Sequence, residues 1–234
     1  MNNNLKNHWE NIYQNKNEDE VSWFQKTPDT SIDIINSIKI TKQSKIIDVG
    51  SGRSRLFKNL IEQGYNNLTY LDISESAAKK SKFFLGQESK NIEWIVEDIL
   101  NFEPKQNFDV WHDRAVFHFL TDQNQIKKYV DLVSRNISNN GYLIIGTFSE
   151  QGPLKCSGLE VSRYSESLIK TTFIESFTLL NSFKIDHSTP FNTTQNFLFS
   201  VLKKINVWIW IDLKMKQRKC LIQFQVNMIW SIIF

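Results

Sequence analysis

Apolar and polar positions alternate along this chain in two different rhythms. Ile46, Ile47 and Val49 form a short β-prone run broken by Asp48, and Leu56, Phe57, Leu60 and Ile61 then recur at the spacing of one buried helix face, stopping at Gly64. The same order returns downstream. Leu68–Leu71 is a second apolar run, followed by a helix from a Ser74 cap to about Leu85, closed by Gly86. Ile92–Val96 and Phe108–Trp111 read as a third and a fourth strand; a helix from Thr121 to about Ile137, with Ile126, Tyr129, Val130 and Val133 inward, leads to a fifth at Tyr142–Phe148. Pro28 opens an earlier helix with Ile32, Ile35 and Ile38 inside, and Asn139-Asn140-Gly141 is a turn signal. Such alternation predicts an α/β fold with a mostly parallel sheet covered on both faces.

Beyond Phe148 the pattern changes. Gly152–Gly158 is a loop by composition and Ser165–Phe173 a helix, while Phe177–Ile185 and Asn196–Leu202 are β-like runs that can pair antiparallel through a turn at Ser188–Thr194.

The candidate chemistry sits at the strand ends. Gly50 and Gly52 punctuate the turn after the first strand, where a missing Cβ lets the backbone bend and a ligand approach, and the following helix offers free N–H groups. Asp48 lies at the end of that strand, Asp72 ends the second, 22 residues beyond Gly50, and Asp98 ends the third. A ribose-binding carboxylate is expected about 20 residues after such a turn. Three strands thus deliver acids to one carboxyl edge, and the expectation is that all three converge on one ligand. A dinucleotide-binding dehydrogenase is the competing reading. Arg55 occupies its close-packing glycine position, and Asp48 would repel a pyrophosphate.

DVGSG, LDIS and EDI in succession resemble a class I S-adenosylmethionine-dependent methyltransferase, over about residues 8–203. The resemblance implies a Rossmann-like, doubly wound sheet of seven strands, mostly parallel, with an antiparallel C-terminal hairpin and helices on both faces. It implies S-adenosyl-L-methionine as cofactor, with its methionine part at Asp48, Gly50 and Gly52, its ribose at Asp72 beside Ile73, and its adenine at Asp98 beside Ile99. Ser54 stands where the commonest form has a third glycine. VSWFQ, DRAVFHFL, GTFSEQGPLKCSGLE and TPFNTTQNFLF resemble a group of bacterial methyltransferases known mainly by their domain, which implies the reaction and leaves the acceptor open.

The exit of the fourth strand, His112-Asp113-Arg114 and on to His118, lies beside the cofactor in that fold. His112, Asp113 and His118 are candidates to take a proton from the acceptor, and Arg114 to bind an acidic substrate, with structural roles open for each. Cys156 is a candidate for the substrate wall, since methyl transfer needs no covalent intermediate. No metal is expected. Nucleic-acid types carry Asn/Asp-Pro-Pro-Tyr where this chain has His-Asp-Arg-Ala, which argues against bases as acceptors. Methyl transfer to a small molecule leads, protein-lysine methylation is the alternative, and a cofactor-binding module without catalysis is the third reading.

Charge and composition refine the organisation. His8, Trp9, Tyr13, Val21, Trp23 and Phe24 stand out in a polar segment, 1–27, which either folds over the ligand as a lid, with Trp23 touching it, or packs a short helix on the domain. The net charge of +3 divides into +4 over residues 204–234 and −1 over 1–203, so the main domain offers no track for nucleic acid. Three of the seven Trp fall in that basic tail, at 208, 210 and 230, which is expected to be dispensable for chemistry. The two cysteines, Cys156 and Cys220, form no framework, the N-terminus has no apolar signal core, and no apolar run spans a membrane; a cytoplasmic enzyme is the expectation, its oligomeric state open.

Overall fold

The computed structural model describes residues 3–53 and 55–205. Ser54 and residues 206–234 lie outside the described residues, and with them the third-glycine position and nearly all of the basic tail. Parallel strands β1 (Ile46–Val49), β2 (Leu68–Asp72), β3 (Ile92–Val96), β4 (Phe108–Arg114) and β5 (Ile137–Phe148) are joined by β8 (Phe177–Ser188) and β9 (Thr194–Lys204). They form one seven-stranded sheet in the order β3-β2-β1-β4-β5-β9-β8, with β9 antiparallel to both β5 and β8. This is the Rossmann-like, doubly wound sheet with the expected C-terminal hairpin.

Helices cover both faces. The alternation along β1 sends Ile46 to one core with α2 (Asp29–Ser37), α3 (Arg55–Glu62) and α4 (Glu75–Leu85), and Ile47 and Val49 to the other with α5 (Gln123–Asn136) and α6 (Glu166–Phe173). Ser74, Asp122 and Ser165 cap α4, α5 and α6 through their side-chain oxygens. The described sheet runs to Lys204, two residues past the expected strand end.

Two local expectations are corrected. Asn139–Gly141 lies inside β5, where Asn140 at φ 64° sits by a register shift against β4. The turn residues mark a bulge, since β5 starts at Ile137, immediately after α5. The segment after β5 is also more ordered than its composition suggests. β6 (Lys155–Cys156) pairs with β7 (Leu159–Glu160) through Ser157 and Gly158, both at positive φ, as a tight hairpin requires.

The N-terminal helix α1 (Asn3–Asn15) is bolted across the sheet edge. Glu10 accepts from Ser74 Oγ at 2.7 Å, from Ser76 N at 3.2 Å and from Ser76 Oγ, while Lys80 Nζ donates to the Tyr13 carbonyl. A carboxylate at the amino end of α4 is favoured by the helix dipole. Farther along, Arg53 donates to the Lys16 carbonyl at 2.8 Å, and Glu18 pairs with both Arg53 and Arg55.

A cleft at the carboxyl edge of the sheet

The parallel strands all end at one edge, and β9, running the other way, begins there. Across this edge lies a cavity of about 380 Å³. Its β1–β3 end is lined by Gly50, Asp72, Ile73, Asp98 and Ile99, and its β4–β9 end by Arg114, Cys156, Gln195 and Phe197. Leu5, Trp9 and Tyr13 of α1, with Trp23, form a further wall. The N-terminal segment thus lines part of the cleft while its helix packs on α4. Trp9 packs edge-to-face on Trp23 and Phe119, with centroids 5.6 Å and 5.2 Å apart.

Asp72 is almost fully buried, and its carboxylate accepts from Gly52 N at 2.9 Å and Ser74 N at 2.8 Å. Burial, with the negative charges of Asp48 and Glu10, raises its pKa to about 6 against those two backbone bonds. Asp98 accepts from Leu100 N at 2.9 Å and faces the same cavity.

The glycines have separate reasons. Gly50 sits at φ 65°, and a Cβ there would meet Val116 Cγ2 at 2.1 Å. At Gly52, φ 54°, a Cβ would lie 2.7 Å from the Tyr13 hydroxyl, so the second glycine makes room for α1. Ala115 lines the cleft at φ 72°, a strained conformation for a residue with a Cβ.

Asp48 stands apart from the other two carboxylates by a short step. It lies beside the cleft, on a second cavity of about 120 Å³ that shares Gly50, Tyr13, Trp23 and Arg114 with the larger one. The cause is the sheet register. Asp48 stands opposite His112 on β4, and both side chains point to the α2 face. His112 Nδ1 lies 2.6 Å from Asp48 Oδ1, and its Nε2 lies 2.9 Å from Ser31 Oγ, so both ring nitrogens are engaged.

Asp113 and His118 line neither cavity. Asp113 is one residue along from His112, hence on the opposite face of the sheet. It is completely buried there, accepting from the Tyr129 hydroxyl at 2.6 Å and from the backbone N–H of Val116 at 2.9 Å and Phe117 at 3.2 Å. Burial raises its pKa to about 6 as well. His118 is also completely buried; its Nδ1 accepts from Phe148 N at 3.3 Å. Burial and the nearby Arg114 charge push its pKa down to about 3, leaving a neutral core ring.

Trp23, Asp72, Ile73, Asp98, Ile99, Gly50, Arg114 and Cys156 thus meet at one cleft. Cys156 is buried, and burial holds its thiol up at about 11, well away from a reactive thiolate. Phe197 was not anticipated; it and Gln195, from a polar cluster that could equally be a hairpin turn or a substrate entrance, reach the cleft because β9 starts at the edge where β4 and β5 end. Leu5, Trp9 and Tyr13 arrive through the Glu10 latch. A cleft of this size, with a carboxylate among backbone donors, glycines and flanking isoleucines, fits an adenosyl ligand.

Comparison with known proteins agrees. The mouse protein EEF1A lysine methyltransferase 2 is 31% identical over 157 residues, 59% of this chain and 63% of that protein. Malonyl-[acyl-carrier protein] O-methyltransferase 1 of Ilyobacter polytropus is 31% identical over 86 residues, 36% of this chain and 32% of that one. The chain thus spans less than two thirds of the length of these curated relatives. Among solved structures, the N-methyltransferase NodS of Bradyrhizobium japonicum WM9 with S-adenosyl-L-homocysteine has a TM-score of 0.63 at 18% identity, covering 86% of this chain and 100% of that one. The 1,6-didemethyltoxoflavin-N1-methyltransferase of Burkholderia thailandensis scores 0.65 at 14% identity, covering 86% and 88%. These two likenesses show the fold. Residues 40–194 match the family model described as a methyltransferase domain, and the chain belongs to that family.

Proposed function

We propose that this protein is an S-adenosylmethionine-dependent methyltransferase that methylates a small molecule. The observation that carries the reading is the placement of Asp72, Asp98 and Gly50 on one cleft at the carboxyl edge of a methyltransferase-family sheet. In this reading Asp72 accepts from the ribose hydroxyls, Asp98 from the adenine amino group, and Ile73 and Ile99 flank the base. Gly50 and Gly52 keep side chains away from the methionyl part, and Trp23 covers it. Asp48 acts through His112 and the turn rather than by reaching into the main cleft. The bound cofactor supplies a methyl group on a good leaving group, so the chain's own task is to align the acceptor and exclude water. α1 and its aromatic residues do the excluding. With His112 bonded at both nitrogens and Asp113 and His118 sealed in the core, the fourth strand contributes alignment rather than a general base.

Protein-lysine methylation is the second reading, favoured by the likeness to EEF1A lysine methyltransferase 2. No helix among the described residues is long and apolar enough to cross a membrane. The working location is cytoplasmic in this reading, with both cysteines as thiols, residues 1–203 as the catalytic unit and no nucleic-acid partner. The test is incubation of the full chain with methyl-labelled cofactor and a cell extract separated by size. Label in the small-molecule fraction is expected; label in a protein band would replace it by the lysine reading, and label in neither would remove both.

A further inference from the structure

The acceptor end of the cleft holds two buried polar atoms without partners, Arg114 Nε and Gln195 Oε1. Arg114 Nη1 donates to the Trp23 carbonyl at 3.1 Å, and the guanidinium carbon lies 5.3 Å from the centre of the Phe197 ring. Among the described residues Arg114 forms no salt bridge. A half-buried arginine with its Nε enclosed and unpartnered retains a cost that a bound oxyanion removes, and its planar fork suits a carboxylate. A lone amide oxygen likewise awaits a donor.

Asp48, on the adjoining cavity, is the acid whose charge acts on Arg114, but its Oδ1 is already engaged by His112 Nδ1 at 2.6 Å, and the acids of the cleft itself are engaged elsewhere. Asp72 and Asp98 are bonded to backbone N–H groups at the far end, and Glu97 accepts from Asp98 N at 2.9 Å. Glu160 is exposed at the mouth, 3.9 Å from Lys155. Among the described residues, the one cation lining the acceptor half is therefore Arg114, which disfavours a lysine ammonium beside it. Its walls are aromatic: Trp9, Trp23, Phe119 and Phe197.

Resting on the transferase reading above, we propose that the acceptor is a small planar acid. Its carboxylate pairs with Arg114, an adjacent hydroxyl or amine donates to the Gln195 side-chain oxygen, and its ring lies among the cleft's aromatic side chains. A carboxylate could also come from the methionyl end of the cofactor, so the test has an arm for each source.

Calorimetry on the full chain first measures S-adenosylhomocysteine and 5′-methylthioadenosine, which lacks the amino-acid part. The protein saturated with S-adenosylhomocysteine is then titrated with salicylate and with its neutral analogue salicylamide. Salicylate is expected to bind at least about tenfold tighter than salicylamide, as a charged-group bond implies. Arg114→Gln should abolish that preference, Arg114→Lys retain part of it, and Gln195→Leu weaken salicylate several-fold, with S-adenosylhomocysteine affinity unchanged in all three. No preference in the wild type, or one that survives Arg114→Gln, overturns the proposal while leaving the transferase reading intact. If Arg114→Gln instead weakens S-adenosylhomocysteine but not methylthioadenosine, the arginine holds the cofactor and the proposal fails. Absence of S-adenosylhomocysteine binding to the wild type takes down both. Arg114→Lys and Gln195→Leu keep the test open should Arg114→Gln fold poorly.

Discussion

Asp72 and Asp113 are near-identical by local chemistry. Each is an acid at the end of a parallel strand, buried, accepting two backbone N–H bonds, with a pKa raised to about 6 by burial. They differ in what lies on their free side. Asp72 has the negative neighbours Asp48 and Glu10 and opens on the 380 Å³ cleft. Asp113 has the Tyr129 hydroxyl on its remaining oxygen and opens on nothing. A perturbed carboxylate is a signal of function only where a ligand can reach it. Asp113 is better read as a plug that satisfies the backbone leaving β4 and ties α5 to the sheet.

The largest effect should come from Asp113→Ala. It leaves the Tyr129 hydroxyl and the N–H groups of Val116 and Phe117 without an acceptor in a sealed site. Unfolding in urea should show a loss of about 3 kcal/mol, since each buried orphan costs roughly 1–3 kcal/mol and removing the carboxylate's own desolvation offsets part of the sum. Asp113→Asn, which keeps an acceptor and a polar partner for Tyr129, should recover most of it, and cofactor affinity should be nearly unchanged in the Asn variant. A collapse of affinity in Asp113→Asn would mean the plug reaches the ligand after all. Next in size is Asp72→Ala. Losing one charged hydrogen bond to a ribose hydroxyl costs about 1.5–3 kcal/mol, so S-adenosylhomocysteine should bind roughly ten- to a hundredfold more weakly by calorimetry. Equal affinities for Asp72→Ala and wild type would erase the distinction between the two acids.

Much of this contrast is written in the chain. Strand, glycine turn and helix at 46–64, and the acids closing the next two strands, suffice to locate the cleft, because strand–helix alternation makes the strands parallel and the apolar runs mark their ends. The period also separates Asp113 from His112 and Arg114, since neighbours on a strand face opposite sides. Applied to His-Asp-Arg, that rule alone sends Asp113 to one face and its neighbours to the other. What it does not supply is register. Asp48 meets His112 because β1 and β4 pair as they do, and that pairing depends on the whole sheet closing. Gln195 and the Glu10 latch depend likewise on contacts between elements far apart in sequence. His118 shows the opposite limit: a histidine in a motif-rich segment turned inward, where only packing decides its fate.

The smallest expected effect is on pH dependence, and it separates the two acids without changing a contact. In both, the folded carboxyl holds its proton to about pH 6, against an ordinary value of 3.8. Between those values the folded state carries more protons than the unfolded one, so stability declines as pH rises from about 4 to about 6 and is level above. Each group contributes at most about 1.4 kcal/mol per pH unit to that slope. Asp113→Asn should remove one share, whether or not ligand is present. Saturating S-adenosylhomocysteine should remove the other, because ribose hydroxyls donating to Asp72 favour its ionised form; cofactor affinity should correspondingly rise with pH across the same window. Thermal melts of wild type and Asp113→Asn from pH 4 to 7, with and without S-adenosylhomocysteine, measure both shares. A ligand that flattens neither profile would show that the Asp72 carboxylate does not meet it.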